Sequence, residues 1–239
     1  MECTDQLIGN AAVRVTAVVD DASLPPVAER AAAVKRAARR PVSKLLDRAF
    51  YGVYLAGLQL HAQLPAGASA EETAVYTVGN WDPSVPIPDF ADEPAEDLVE
   101  RLSHFYTHPA NPTDWLRRMP NNPICNIAIT TGYQGPCLHY TGTATSLALM
   151  VPVAVAAIAD GQAENALLLA FDTPREERHA LAHESDAMAV GVLMGRGAGT
   201  PAHHLVETAL AAPADARCVD VLGDFVRSWR IANSPALVP

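Results

Sequence analysis

The chain has 239 residues, 49% of them hydrophobic and 18% charged, and its formal net charge at pH 7 is −10. This much apolar material excludes an intrinsically disordered chain, and the length is enough for one sizeable hydrophobic core. The negative charge disfavours nucleic acid and anionic membrane surfaces, because a phosphate surface needs Lys and Arg to displace its counterions. We therefore expect a single domain over residues 1–239 with neither of these partners.

The cysteine pattern and the longest apolar stretch bear on location. The four cysteines are Cys3, Cys125, Cys137 and Cys218. They form no CxxC pair and follow no secretory leader, which is typical of reduced thiols in a cytoplasmic protein. The apolar stretch Thr145–Ala159 contains Pro152. It is too short to span a bilayer and is expected to form a buried helix.

Strand and helix patterns alternate in the first third of the chain. The predicted elements are a strand at Val13–Val19, a helix at Val27–Arg39, a helix from Ser43 to Leu64, a strand at Glu72–Val78 and a loop at Gly79–Pro83. Pro41 separates the two helices, and Ser43 is a suitable N-cap for the second. The strand at Glu72–Val78 is predicted from its alternating polar and apolar residues.

The remaining patterns continue the alternation. They predict an irregular segment at 84–94, helices at Glu96–Tyr106, Asn121–Thr131 and Thr143–Ala159, and strands at Leu138–Thr141, Ala166–Phe171 and Ala187–Met194. Pro123 suits the first turn of its helix and Gly132 its end. Continuous apolar strands between helices predict an α/β fold with a mixed sheet covered by helices on both faces.

The features between Pro120 and Met194 follow a recognisable order. Pro120-Asn121-Asn122 opens a helix, Gly132 ends it, Gly135-Pro136 precedes a short strand, Asp160-Gly161 ends a long apolar helix, and His183-Glu184-Ser185-Asp186 leads into an apolar strand. This order resembles the N-terminal half of the β-ketoacyl synthases, whose fold is thiolase-like. The earlier part of the chain matches that family in the order of its elements alone.

The resemblance places an alanine at the catalytic position. In the family, a sharp turn after the short strand carries the nucleophilic cysteine at the start of the buried helix. A count without gaps from Gly135-Pro136 to Asp160-Gly161 puts that cysteine on Ala144. A methyl group cannot be acylated, so the resemblance implies no catalytic residue here.

The family's full-length members differ from this chain in a second way. They have two similar halves, with two catalytic histidines in the second, whereas this chain ends soon after the first. The chain therefore resembles a truncated chain-length factor of a type II polyketide synthase of the highly reducing or aryl-polyene-like kind. In such systems the silent subunit shapes the tunnel for the growing acyl chain.

The resemblance also implies partners and sites. It implies a heterodimer with an active β-ketoacyl synthase, an acyl carrier protein that is reached through that partner, and neither a cofactor nor a metal. The strand after Gly135-Pro136 pairs across the subunit axis in the family, which assigns Leu138, His139 and Tyr140 to the partner interface. The helix at Pro123–Thr131 lines the acyl tunnel in the family, which assigns to it Ile124, Cys125, Ala128 and Ile129.

The sequence leaves two alternatives open. One is an independent acyl-processing enzyme on the same scaffold that uses Cys137, His139 or the pair His179 and His183. That pair lacks the glutamate that follows the first histidine in zinc hydrolases, and His203-His204 is a weaker metal candidate. The other alternative is a binding module for acyl chains or carrier proteins that has no ketosynthase partner.

Two further patterns favour ordinary surface features. A dense cationic cluster is formed by Lys35, Arg36, Arg39 and Arg40, and a smaller one by Arg117 and Arg118. Each is interpreted as a solvated helix face, with docking of an acidic partner as the alternative. Gly195–Gly199 superficially resembles a dinucleotide-binding loop, but no βαβ unit follows it, so a plain loop is expected.

Overall fold

The computed structural model describes residues 13–38, 40–80, 99–100, 103, 116, 119–172 and 188–234. The strands are β1 Val13–Val19, β2 Thr73–Asn80, β3 Cys137–Thr141, β4 Asn165–Asp172, β5 Met188–Arg196 and β6 Thr200–Pro201. The helices are α1 Val27–Ala37, α2 Arg40–Leu45, α3 Tyr51–His61, α4 Asn122–Thr131, α5 Ala144–Ala159, α6 His203–Ala211 and α7 Cys218–Asn233. Short 3-10 turns occur at Asp21–Ser23 and Arg48–Phe50.

Most of the predicted elements are confirmed within one or two residues. The segment 84–94 lies outside the described residues, and so do most of the predicted helix Glu96–Tyr106 and the part of the predicted loop that follows Asn80. In the part of the chain that the structure describes, every helix is too short or too polar to cross a bilayer.

The strands form one six-stranded mixed sheet in the order β3-β2-β4-β5-β1-β6. β2 pairs in parallel with β3 on one side and with β4 on the other, while β5 runs antiparallel to both β4 and β1. β4 and β5 are buried along nearly their whole length. Their continuous apolar sequences are what a strand covered on both faces requires.

Helices cover both faces of the sheet. Tyr76 and Val78 point into the core under α5, α6 and α7, whereas Val75 points into the core under α1, α2, α3 and α4. Successive side chains of a strand point to opposite faces, so apolar residues at consecutive positions of β2 supply both cores. The predicted α/β class, a mixed sheet covered by helices, is confirmed.

A bulge in β1 lets that strand place side chains in both hydrophobic cores. Val15 pairs with Met194 and Ala17 with Leu193, so Thr16 is an extra residue in the ladder. Val15 therefore lies in the core under α5, and Ala17 lies in the opposite core. Without the bulge, every second residue of β1 would face the same side of the sheet.

The prediction of one long helix from Ser43 to Leu64 is wrong. The chain leaves α2 at Leu45, and Asp47 adopts an extended conformation in which its side chain accepts a hydrogen bond from the Ala49 amide at 2.9 Å. Phe50 is then fully buried with its ring edge-on to Phe171 at 5.5 Å. The local cap and the buried ring outweigh the helical spacing of the apolar residues.

The predicted loop at Gly79–Pro83 is wrong at its first two residues. Gly79 pairs with Thr141 and Phe171, and Asn80 pairs with Asp172, so both belong to β2. A Cβ on Gly79 would lie 1.9 Å from the Phe171 carbonyl oxygen. The glycine therefore marks a close approach between strands, and sequence alone cannot distinguish that from a turn.

Helices α6 and α7 were not predicted from the sequence, although α7 carries an amphipathic pattern. Its buried residues include Val219, Leu222 and Val226, which recur at helical spacing and pack against the sheet beside α5. α7 thus completes the cover of the face on which α5 lies.

Two neighbouring carboxylates at the end of β1 connect the sheet to both helical layers. Asp21 accepts hydrogen bonds from Arg30 on α1 at 2.9 Å and from the Ala189 amide on β5 at 3.2 Å. Asp20 accepts two bonds from Arg230 on α7, at 2.5 and 3.0 Å. The Arg30 side chain is only 2% exposed, so its charge depends on internal partners.

We expect Asp21→Ala to lower the free energy of unfolding by about 3 kcal/mol, because it removes the carboxylate that faces the buried guanidinium of Arg30. Urea denaturation would measure the change. In the control Asp224→Ala, which removes a carboxylate that pairs with Arg227 at the surface, we expect a loss below about 1 kcal/mol. Equal losses would contradict the role assigned to Asp21.

Candidate functional site

The carboxyl ends of β2, β3 and β4 meet at one edge of the sheet, because these strands are parallel. In open α/β sheets, binding sites lie at this edge. α5 begins here directly after β3, and the position that the family resemblance assigns to the nucleophile, Ala144, is its first residue. We therefore expect a functional site at this edge of the sheet.

A tight turn delivers the chain from β3 into α5. Gly142 has a φ of 156°, and a Cβ on it would lie 2.2 Å from the Ser146 hydroxyl oxygen. Its amide donates to the Gly79 carbonyl at 3.2 Å, which holds the turn against β2. Thr143 is the N-cap of α5, and Ala144 is 2% exposed. A thiol at this helix start would be favoured as thiolate, whereas the methyl group present is inert.

The donors at the start of α5 are already bonded to the segment that joins α6 to α7. The Ala144 amide donates to the Ala216 carbonyl at 2.8 Å. The Thr143 hydroxyl donates to the Ala214 carbonyl at 2.6 Å, and the Thr145 hydroxyl donates to the same oxygen at 3.3 Å. These carbonyls occupy donors that a bound acyl carbonyl or anion would otherwise use.

An ion-pair network fixes the end of the same segment. Arg217 donates to both carboxylate oxygens of Asp220, at 2.8 and 2.7 Å, and its third nitrogen lies 3.4 Å from the carboxylate of Asp172 at the end of β4. Hydrogen bonding to Asp220 is the main cause that raises the pKa of Arg217. The arginine therefore remains charged and ties α7 to the sheet.

Cys218 is the thiol that lies against the turn into α5. Its Sγ donates to the Gly142 carbonyl at 3.3 Å, and the residue is 2% exposed. Burial, aided by the charge of Asp172, raises the pKa of this thiol to about 12. Cys218 is therefore a protonated, buried thiol and not a substitute nucleophile.

His139 has both ring nitrogens engaged. Nδ1 lies 2.9 Å from the Thr77 hydroxyl and Nε2 lies 3.0 Å from the Thr141 hydroxyl, while the ring stacks on Phe171 at 5.8 Å. Burial lowers its pKa to about 4. The imidazole is neutral at pH 7. Its bond to Thr77 joins β3 to β2, and its bond to Thr141 lies within β3.

The other residues of the enzyme alternative gain no support. Cys137 and Cys125 are exposed, and desolvation is the main cause that raises the pKa of each thiol. All three described cysteines thus have raised pKa values, the opposite of an activated nucleophile. His179 and His183 lie outside the described residues.

The residues assigned to the tunnel and to the interface divide between core and surface. On α4, Ile124 is buried and packs in the core, Ala128 is half-buried, and Cys125 and Ile129 are exposed. On β3, Leu138 and His139 are half-buried and Tyr140 is 38% exposed. Both roles remain predictions from the family resemblance.

Two weaker candidates are surface features in the described part of the chain. His203, His204 and Glu207 bring ligand atoms within 4.8 Å of one another in the first turn of α6. The partial positive charge of a helix N-terminus disfavours a cation there. Lys35 and Arg36 are exposed on α1, whereas Arg39, Arg117 and Arg118 lie outside the described residues.

The segment Gly195–Gly199 belongs partly to β5. The strand ends at Arg196, and three residues connect it to β6, which pairs with β1. No helix follows in the arrangement that a dinucleotide loop requires, so the expectation of a plain connection is confirmed.

Comparisons with known proteins identify the fold. No family model and no curated protein matches the chain. The chain is similar to AntDE:AntF, a type II PKS acyl-carrier protein in complex with its ketosynthase bound to the hexaketide. The TM-score is 0.53 and the sequence identity is 10%, and the match covers 82% of this chain and 64% of that chain. A β-ketoacyl synthase from Burkholderia phymatum STM815 has a TM-score of 0.51 and 13% identity over 78% of this chain and 59% of that one.

A third similar structure is the ishigamide ketosynthase/chain length factor, with a TM-score of 0.49 and 16% identity over 78% of this chain and 62% of that chain. The first two likenesses show that this chain has the thiolase-like α/β fold of the ketosynthases, as the sequence resemblance implied. At such low identity a likeness shows the fold alone. The chain covers less than two thirds of the length of each of these structures.

Sequence reasoning missed the residues that close the start of α5. Ala214 and Ala216 act through backbone carbonyls, which leave no chemical signature in a sequence. Asp220 carries a usable signal, since an acidic residue in the first turn of an amphipathic run favours a helix start.

We expect His139 to make stability depend on pH. Its pKa of about 4 in the folded chain lies below the ordinary 6.5, so below about pH 6.5 the unfolded chain binds a proton that the folded chain does not. The free energy of unfolding therefore falls as pH decreases from about 6.5 to about 4. His139→Gln should reduce this fall, as measured by urea denaturation at about pH 7 and about pH 5.

The control is Gln63→Ala, which removes an exposed polar side chain that does not titrate. It should leave the pH dependence of unfolding close to that of the wild type. A pH dependence that is unchanged by His139→Gln would show that other groups cause it.

Proposed function

We propose that this chain is a non-catalytic, chain-length-factor-like subunit. In this proposal residues 1–239 act as one domain that forms a heterodimer with an active β-ketoacyl synthase in the cytoplasm. The heterodimer shapes the acyl or polyene tunnel of a polyketide or fatty-acid-like pathway, and an acyl carrier protein delivers substrates through the partner.

The observation that carries the proposal is Ala144 at the start of α5. On the ketosynthase fold this is the position to which the sequence resemblance assigns the nucleophile. Here it holds a methyl group that is 2% exposed and an amide that is already bonded to the Ala216 carbonyl. A ketosynthase-like chain that cannot be acylated would contribute to a condensation reaction by pairing with a ketosynthase that is acylated.

An open sheet edge supports a partner subunit. β3 is the outermost strand on its side of the described sheet. The helices that flank it expose large apolar side chains: Leu149 is 61% exposed and Val153 41% exposed on α5, and Ile129 is 58% exposed on α4. Leu149 and Val153 are four residues apart and share one helix face. An unpaired strand edge between exposed apolar surfaces promotes association with another chain.

The carrier-protein complex adds a limited kind of support. The AntDE:AntF complex pairs a type II PKS acyl-carrier protein with its ketosynthase. The shared fold makes a related assembly a reasonable proposal for this chain. The independent-enzyme alternative is less well supported, because both ring nitrogens of His139 are hydrogen-bonded and the pKa of the Cys137 thiol is raised.

The proposal is tested by co-expression with the ketosynthase encoded nearest to the chain, followed by co-purification and a condensation assay. We expect a one-to-one complex whose activity requires this chain and is unchanged by Ala144→Cys. Turnover of acyl substrates by the isolated chain would overturn the proposal.

Leu149→Asp should prevent co-purification or weaken the complex by at least about tenfold, because a carboxylate would be buried against the partner without a counter-charge. The control is Ile231→Asp on α7, where the side chain is 81% exposed and lies on a different element. Affinity would be measured by titration calorimetry. If both variants bind equally well, β3 and α5 are not the interface.

We expect Ile129→Trp to shorten the products of the complex by one or more extension units, because the larger ring would fill part of the proposed tunnel. Mass spectrometry of the released acyl chains would show the shift. Leu210→Trp on α6, where the side chain is 55% exposed, is the control and should leave product length unchanged. Unchanged products in both variants would remove Ile129 from the tunnel.

A further inference from the structure

The first turn of α5 is covered by residues 212–217, the segment between α6 and α7. Three donors at the helix start bond to two carbonyls of this segment. The Thr143 and Thr145 hydroxyls donate to Ala214 at 2.6 and 3.3 Å, and the Ala144 amide donates to Ala216 at 2.8 Å. The contact is therefore a set of specific hydrogen bonds.

These bonds matter because the start of a helix presents hydrogen-bond donors that carry a partial positive charge. The first amide groups of a helix have no partner within the helix and carry a partial positive charge, so they bind anions and carbonyl oxygens. In an acyl-transfer site, such amides stabilise the negative charge that develops on the reacting carbonyl. In this chain, the Ala216 carbonyl takes that place at the Ala144 amide.

The segment is anchored where it enters α7. Arg217 pairs with Asp220 on α7 and with Asp172 on β4, so the last residue of the segment is bound to both a helix and the sheet. The next residue, Cys218, donates its thiol to the Gly142 carbonyl at 3.3 Å. Separation of the segment from α5 therefore requires these contacts to break as well.

We propose that residues 212–217 form an internal plug that closes the start of α5 to acyl thioesters, with Arg217 as its latch. The inference deepens the proposed function, on which it rests: the chain is silent first because Ala144 has no nucleophile, and second because the oxyanion-type donor is occupied. Restoring the thiol alone would leave the site closed.

Ala144→Cys tests the plug in the full-length purified chain. The variant is treated with iodoacetamide, and the rate of alkylation of each cysteine is read by peptide mass spectrometry. We expect the introduced thiol to react at least about tenfold more slowly than the exposed Cys137, because reaction requires local opening of the segment. An introduced thiol that reacts as fast as Cys137 would overturn the plug.

The latch is tested by combining Ala144→Cys with Arg217→Ala. Loss of the ion pairs should speed alkylation of the introduced thiol by at least about tenfold, because opening costs less. The matched control adds Arg227→Ala instead, which removes an arginine from another pair three residues apart on the same helix. No acceleration with Arg217→Ala, or the same acceleration in the control, would overturn the assignment of Arg217.

Far-UV circular dichroism and urea denaturation of each variant serve as the check on folding. Each variant should keep the wild-type spectrum, and loss of that spectrum would reveal general unfolding. If Arg217→Ala unfolds the chain, Thr143→Val replaces it, because this change removes only the 2.6 Å bond to the segment. If the plug exists, Thr143→Val speeds labelling of the introduced thiol in a chain that keeps the wild-type spectrum, and an unchanged rate would overturn the plug.

The readout needs no ketosynthase. Failure of co-purification with a partner would contradict the proposed function without changing the labelling rates. Fast labelling of the introduced thiol would overturn the plug without bearing on the partner.

Discussion

The structure depends on a sheet whose central strands are buried on both faces. β4 and β5 offer almost no surface to water, so apolar side chains on each side must be covered by helices. The chain meets this requirement with α1 to α4 on one face and α5 to α7 on the other. Asp20 and Asp21, adjacent at the end of β1, tie the two layers to the sheet through Arg230 and Arg30.

The cover supplied by α7 determines the state of the candidate site. α7 lies beside α5 on the same face, and both helices begin at the carboxyl edge of the parallel strands. The segment that leads into α7 consequently passes over the start of α5 and bonds to it. Completion of the core and closure of the helix start are thus two results of one packing arrangement.

Several polar groups in the described part of this edge bond to one another. His139 is held between two threonine hydroxyls, and Asp172 is paired with Arg217. A catalytic site needs groups that are free to change partners as charge develops. The groups at this edge are thus bonded within the chain, while exposed apolar side chains flank the outermost strand β3.

Local sequence patterns determined much of this outcome. The apolar runs of β1, β4 and β5 predicted buried strands, and Gly132 predicted the end of α4. The family resemblance assigned the nucleophile position to Ala144, which is the first residue of α5. These features depend on backbone preference and on burial of consecutive side chains, which a single sequence records. The α/β class could be predicted for the same reason.

Tertiary contacts decided the rest. The break at Asp47, the bulge at Thr16 and the place of Gly79 in β2 depend on partners far away in the chain. Closure of the α5 start depends on backbone carbonyls that any residue could supply. The sequence by itself determined that no nucleophile stands at Ala144, and only the folded chain decided that its amide is also occupied, because that bond joins segments about seventy residues apart whose meeting is set by packing on a common sheet.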